Sequence, residues 1–512
     1  MEMLSRINEI LWTPLVFFVL GFGLYLTIRT RGLQVRGLPD MLRLITSRES
    51  GDAGISSFQA LALTLSSRVG VGSIAGVATA IAAGGPGALF WMATMAILGG
   101  ATAYVESTLA QIYKARVNGT YCGGIPWYIE RGLGVRRLAL FAAFIALCLY
   151  AVFAPGIQSN NIGLAVAASF GINPIYTGAV VVSLLAFIIF GHRRRLIHFV
   201  EYMVPFIAGA YILMALVIIG ANAGRLPGAI HLILSSAFGL NAVYGGIVGS
   251  AIMWGVRRAL FANVAGVGEG TFGSAAADVA HPAQQGLVQC FSIYIDTLFV
   301  CMATGVMIII TGQYNVLGGG TPITVHLPGV EAGPAFAQAA VNSVFGGLGA
   351  PAVTFAISAF AFMTMIAFYY IAETNLSYLC NGRNRLAVQV LRIVTCLSVL
   401  NGTIRPSALI WAMGDFGYAC LAWTNMLCLV FLARPALLAL NDFYTQKARS
   451  REPVFDPVRL GIAHTLCWPR GTDTRVVETP TPFTEELVEP LHDDAFSLFT
   501  PTMPDTGQEK RP

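Results

Sequence analysis

"ALTLSSRVGVGSIAGVATAIAAGGPGALFWM", residues 62 to 92, is the stretch on which the fold turns. It belongs to an apolar span running from 57 to 83, yet Gly70, Gly72, Ser73 and Gly76 stand near the middle of that span. Glycine there weakens a helix, because it has the most backbone freedom to lose. A helix interrupted at mid-membrane frees carbonyl oxygens for a cation. The N-terminus of its second half turns amide donors and a partial positive charge toward an anionic group. The same small residues, three and four apart, suit a close helix-packing face equally well, and spacing alone leaves both readings open.

Composition extends the membrane reading to the whole chain. Of 512 residues, 55% are hydrophobic and only 11% charged, against roughly 25% charged in a soluble domain. In water such a chain would expose apolar patches beyond what a monomer tolerates, whereas a bilayer asks for about 20 apolar residues per crossing. The net charge of +5 comes from Lys and Arg in short loops between apolar runs, with no aromatic-interleaved basic surface, so nucleic acid is not an expected partner. Nine cysteines lie scattered, as at Cys148, Cys301 and Cys428, without a CxxC pair or metal-ligand spacing, and read as small core residues.

Apolar runs place candidate spans at 11 to 29, 57 to 83, 85 to 113, 138 to 160, 173 to 190, 199 to 221, 240 to 263, 286 to 312, 350 to 373, 386 to 403 and 405 to 434. The expectation is an all-α membrane protein of about 11 transmembrane helices. The first run, Leu11 to Ile28, lacks the ordered features of a removable signal and is expected to remain as a membrane span. From Asn441 the composition turns charged and rich in Pro and Thr, which predicts a largely disordered tail over 441 to 512.

Loop charges predict the orientation. The loops after spans one, three, five, seven and nine hold Arg29, Arg31, Arg36, Arg43 and Arg48; Lys114, Arg116, Arg131, Arg136 and Arg137; Arg193, Arg194 and Arg195; Arg257 and Arg258; and Arg383 and Arg385. The alternate loops carry little beyond Arg225 and Arg405, and 313 to 349 holds no Lys or Arg. By the positive-inside rule the N-terminus is outside and the C-terminus cytoplasmic.

A second interrupted span, "NAVYGGIVGSAIMWGVRRALFANVAGVGEGTFGSAAADVAH", residues 241 to 281, follows five helices later with opposite membrane polarity, and Gly245, Gly246 and Gly249 are the expected break. Two such segments suit an inverted repeat of five plus five helices, with the first helix left over. The expected organisation is therefore a peripheral helix and loop over 1 to 56, repeats over 57 to 221 and 222 to 440, and the tail. Among the few charges inside the spans, Arg68, Glu106 and Asp296 stand out. Each is costly in lipid unless paired or wet, so they read either as a structural ion-pair group or as the place where a carboxylate takes up a proton.

Several long motifs then resemble the alanine or glycine:cation symporter family. They are "VGVGSIAGVATAIAAGGPGALFWM" with "VESTLAQIYKAR", "GIQSNNIGLAV", "RALFANVAGVGEGTFGSAAADVAHPAQQGLVQ" with "IDTLFVCMATG", and "FAFMTMIAFYYIAETNLSYL", which in order cover most of residues 10 to 435. The resemblance implies a leucine-transporter-like five-plus-five inverted repeat with one additional N-terminal helix. It also implies that the backbone around Gly70, Gly72 and Ser73 and the side chain of Gln158 hold the amino and carboxylate groups of the substrate. Gln158 offers both donors and acceptors, which suits a zwitterion. Thr364 and Phe368, four apart and so on one helical face, match positions lining the same pocket, with Ile247 and Ala251 as apolar walls. Ser67, Gly70 and Thr364 match a sodium site.

The chain departs from the family pattern at Ser73, where Asn is usual, at Val264, where Glu follows Asn in "NEAG", at Met363, where the first of two threonines sits, and at Phe368, where Trp is usual. The loss of a hydroxyl at Met363 bears on the coupling ion, since sodium prefers hard oxygen ligands, and Ser73 and Phe368 bear on pocket size. The resulting expectation is symport of a small neutral amino acid with sodium by alternating access across the bacterial inner membrane. A proton-coupled or uncoupled carrier is the alternative, and an amino-acid sensor signalling through the tail is the reading from another class. No enzyme is expected: the spans hold no HExxH, GxSxG or paired-carboxylate constellation, and His192, His198 and His281 fall at loops or helix ends.

Overall fold

Almost every apolar run becomes a helix, because a backbone without water must satisfy its own N–H and C=O groups. The computed structural model describes residues 2–45, 54–117, 119–190, 193–318, 321–382, 384–449 and 452–468, with side chains of the helix over 193–221 described from residue 203. Arg48, Arg383, the side chains of Arg193, Arg194 and Arg195, and the chain from 469 onward lie outside the described residues.

In chain order the helices that matter are α1 (Glu2–Arg29), α2 (Ser57–Arg68), α3 (Ala75–Gly84), α4 (Ala88–Ile112), α5 (Arg136–Phe170), α6 (Pro174–Ile189), α7 (Arg193–Ala221), α8 (Val248–Asn263), α9 (Gly270–Ala276), α10 (Pro282–Thr311), α11 (Gly349–Leu379), α12 (Arg385–Ile404) and α13 (Ser407–Ala448). Among the described residues, eight helical runs are long and apolar enough to cross a membrane. The other three sequence spans are the two interrupted ones and α6, which is 16 residues long. Large apolar side chains such as Phe187, Phe206 and Phe355 stand exposed on the outer surface, as lipid contact requires and water would not favour.

Local signals set the helix ends. Ser56 opens α2 with a reciprocal cap, its hydroxyl accepting from the Gln59 amide at 3.2 Å while Gln59 Oε1 accepts from the Ser56 amide at 3.1 Å. Two wide turns of π-helix interrupt long helices, Leu149–Phe153 in α5 and Tyr294–Cys301 in α10. Such turns re-aim side chains, and these two carry Tyr150 and Asp296.

The two interrupted spans cross: α3 packs on α8, and α2 packs on α9. Each half of one therefore lies on the opposite half of the other, with the breaks side by side. Around the crossing, α4 packs on α10, α11 on α5, and α5 on α12, while α1 lies outside against α13 and α4.

Two expectations change here. Arg257 and Arg258 are not loop residues: they sit within α8, buried, because the span continues past them to its break and on into α9. The tail also begins later than 441. Helix α13 runs to Ala448, and residues 452–468 fold back onto the protein, with Phe455 and Trp468 buried, the Trp468 indole donating to Gln111 O at 3.0 Å and the Phe455 amide to Ala280 O at 3.1 Å. Three aromatic and aliphatic anchors spaced along that stretch, Phe455, Ile462 and Trp468, supply the burial that its overall polarity conceals.

Candidate functional site

The first break spans Val69 to Ile74. Helix α2 stops at Arg68, a single 3-10 turn covers Val71–Ser73, and α3 begins at Ala75 with no side chain capping its first amides. Gly70 is sterically required, because a Cβ there would stand 2.6 Å from Thr364 Oγ1 and 3.2 Å from Gln158 Oε1. The Val71 amide donates to Gln158 Oε1 at 3.1 Å, and Thr364 Oγ1 donates toward Ser66 O at 2.8 Å and Phe360 O at 2.9 Å. Gly72 is close-fitted but less confined, since a Cβ there would stand 3.1 Å from Phe261 and 3.2 Å from Ala262 of α8.

The second break lies at Val264–Glu269 and not at Gly245, Gly246 or Gly249, which form or follow a 3-10 turn leading into α8. The physical reason is backbone sign. Gly266 and Gly268 adopt φ of 89° and 87°, and Val264 is held left-handed at 49°, an unusual state for a β-branched residue, whereas Gly245, Gly246 and Gly249 do not take positive φ.

Each break is braced by a buried carboxylate from a neighbouring helix. Ser73 Oγ donates to Asp296 Oδ1 at 2.6 Å, and Thr297 Oγ1 to Oδ2 at 2.8 Å. Glu106 Oε2 accepts from the Gly266 amide at 3.2 Å and from Asn425 Nδ2 at 3.1 Å, and Asn425 in turn accepts from the Tyr128 hydroxyl. Arg68 donates to Gln289 O at 3.2 Å and to the Ser292 hydroxyl, and its Nη2 faces Gly270 at the start of α9. Among the described residues these three charges do not pair directly as a salt bridge; each fastens a different segment, Asp296 through the Ser73 and Thr297 hydroxyls.

An aromatic series runs past the breaks. Tyr150 meets Phe368 with ring centres 5.3 Å apart, Tyr418 meets Phe261 at 4.8 Å, and Phe261 meets Trp411 at 4.9 Å. Beyond it, Asp415 pairs with Arg257 at 2.6 Å and Arg258 at 3.2 Å, and Arg258 lies 4.4 Å over the Trp411 ring.

The structure therefore brings Gly70, Gly72, Gln158 and Thr364 together, with Ser67, Ser73 and Phe368 on the elements beside them. Ile247 and Ala251 lie apart, against Gly85 and Gly84 at the far end of α3. Tyr150, Phe261, Trp411, Tyr418, Asp415 and Glu269 were absent from the expected site. Asp415 and Glu269 had a legible signal, an acidic residue within or just past an apolar span, hidden for Glu269 by ending that span at 263. The aromatics had none, since large rings are ordinary core residues.

Comparison with known proteins gives a consistent picture. The profile described as the sodium:alanine symporter family matches residues 1–457. YrbD of Bacillus subtilis is 49% identical over 470 residues, covering 91% of this chain and 97% of its own. The sodium/proton-dependent alanine carrier protein of Bacillus sp. (strain PS3) is 44% identical, covering 84% and 97%, and the sodium/alanine symporter AgcS of Methanococcus maripaludis is 34% identical, covering 84% and 94%.

Proposed function

The chain belongs to the sodium:alanine symporter family, a family of transporters and not of enzymes, and on that premise we propose that it carries alanine or a similarly small neutral amino acid together with sodium across the bacterial inner membrane by alternating access. The observation that carries this reading is the crossing of two interrupted helices with their breaks at one level. There, uncapped amides at the start of α3 face the end of α2, whose last carbonyls are left without helical partners. A zwitterion presents a carboxylate to the first and an ammonium to the second, and a cation completes the charge.

In this reading Gly70 and Gly72 let the substrate approach the backbone, Gln158 orients it, and the aromatic series from Tyr150 and Phe368 to Trp411 limits side-chain size. Ser67, Gly70 and Thr364 hold sodium. Ser73 acts through Asp296, to which its hydroxyl is committed, and Ile247 and Ala251 belong to the outer packing of α3 and α8. The fold reading that accompanies it is the five-plus-five inverted repeat, over 57 to 221 and 222 to 440, plus α1, with eleven membrane helices, the N-terminus outside and the C-terminus cytoplasmic.

The test is uptake of labelled alanine, glycine and glutamine into proteoliposomes under a sodium gradient, a proton gradient, and neither. Sodium-driven accumulation of alanine is expected, with Gln158→Ala raising half-saturating alanine by about tenfold or more, the worth of one or two lost hydrogen bonds. Absence of accumulation under every gradient rejects the reading, and accumulation driven by protons alone replaces the coupling ion.

A further inference from the structure

Charge is out of balance around the crossing. Glu106, Asp296 and Glu269 are carboxylates buried to 1% exposure or less, and the guanidinium among them is that of Arg68, also at 1%. Two of the three carboxylates are engaged by hydrogen bonds, Asp296 by Ser73 and Thr297 and Glu106 by the Gly266 amide and Asn425. Glu269 is different: both its oxygens are buried and neither has a well-formed hydrogen bond, although the Ser67, Tyr150 and Tyr418 hydroxyls stand beside it. A carboxylate in that state carries a large desolvation cost unless a positive charge meets it. Within a membrane protein such a group is by default functional.

Glu269 lines a small cavity closed by Thr64 and Ser67 of α2, Gly273 of α9 and Tyr370 of α11. The hydroxyl protons on α2 are already spent, that of Thr64 on Ala60 O at 3.0 Å and that of Ser67 on Thr64 O at 2.9 Å. Their oxygens can therefore offer the cavity lone pairs only. Gly273 keeps Thr64 in reach, since a Cβ there would stand 2.6 Å from Thr64 Oγ1. A carboxylate and two hydroxyl oxygens acting as acceptors are a poor arrangement for each other and a good one for a hard cation.

We propose that Glu269, Thr64 and Ser67 form a second sodium site on the Thr64 side of Ser67, next to the site to which Gly70 and Thr364 contribute, with the Ser67 hydroxyl shared between the two. The proposal rests on the symport reading for its role in coupling, but binding at this site is measurable without transport. The groups that face Glu269 are Arg68 on α2, Glu106 on α4, Tyr150 on α5, Asp296 on α10 and Tyr418 on α13. With three carboxylates against one guanidinium, this group has room for two monovalent cations before it becomes positive.

The experiment is equilibrium binding of radioactive sodium to the full-length protein in detergent, choline balancing ionic strength, for the wild type and Glu269→Gln. The wild type is expected to bind two equivalents and the variant one. A wild type with one equivalent that the variant loses also supports the site, at the expense of the Gly70 and Thr364 assignment. Sodium binding indifferent to E269Q overturns the proposal. Should E269Q fail to fold, Thr64→Val keeps the shape and removes a ligand; half-saturating sodium about tenfold higher or more is expected, and an unchanged value overturns the proposal. Failure of the symport reading is separately visible, as a wild type that binds sodium yet accumulates no amino acid.

Discussion

Gly70→Ala tests whether the first break is held by contact or by backbone freedom. Gly70 has φ of −134°, on the side that L residues adopt, so the added methyl acts mainly through what it touches. It would stand 2.6 Å from Thr364 Oγ1, which must retreat by at least about 0.4 Å to reach even the tightest contact that real Cβ atoms show. Thr364 is not free to do so, because its hydroxyl is tied to Ser66 O at 2.8 Å and Phe360 O at 2.9 Å. Overpacking a close-fitted core and loosening a buried hydrogen bond are one event here, worth about 2 kcal/mol. Expressed on substrate affinity, that is roughly 30-fold. The assay is a double-mutant cycle with Thr364→Ala, which removes the obstructing oxygen, read as thermal midpoint in detergent and as half-saturating alanine in proteoliposomes. The Gly70→Ala stability penalty is expected to fall below about 1 kcal/mol in the Thr364→Ala background, whereas affinity stays low because a proposed cation ligand has gone. Strictly additive stabilities, or a Gly70→Ala protein indistinguishable from the wild type, would refute the contact argument.

Two further predictions concern charges away from the breaks. Asp415→Asn leaves two buried guanidiniums, Arg257 and Arg258, without their anion, and a loss of about 3–5 kcal/mol is expected in thermal or denaturant unfolding; a loss below about 1 kcal/mol would mean that water already compensates the arginines. His281, capping α10 with its ring against Asp442 at 3.3 Å, has its pKa pushed down to about 4 by burial, with Asp442 opposing the shift. The unfolded ring takes a proton near pH 6.5 and the folded one near 4, so its stabilising contribution is complete above about 6.5 and is lost as pH falls toward 4, by about 3 kcal/mol at most. His281→Gln is expected to flatten that part of a thermal-midpoint profile, and a profile unchanged by the substitution would assign the acid sensitivity elsewhere.

The membrane class, most of the helical spans and the first break were legible in the sequence, for a single reason. A bilayer couples local composition to structure directly, so an apolar run becomes a helix and a glycine cluster within one becomes its weak point. Gly70, Gln158 and Thr364, 294 positions apart at the extremes, lie side by side in the structure. The second break was misplaced because Gly245, Gly246 and Gly249 look as permissive as Gly266 and Gly268. Only the demand for positive φ separates them, and that demand comes from how α8 must turn into α9.

What the sequence by itself determined is the repertoire: which segments enter the membrane, where a helix is weak, and which few charges lie within or beside the apolar spans. What the tertiary structure decided is partnership. Arg257 and Arg258 read as loop charges until α13 supplies Asp415, and residues 452–468 read as solvated tail until Gln111 and Ala280 give them something to bond. Glu106, Asp296 and Glu269 are equivalent carboxylates in sequence. Ser73 and Thr297 bond both oxygens of Asp296, the Gly266 amide and Asn425 bond one oxygen of Glu106, and Glu269 is left without a well-formed hydrogen bond beside a small cavity, because the energy of a buried charge depends on its surroundings and not on the residue that carries it.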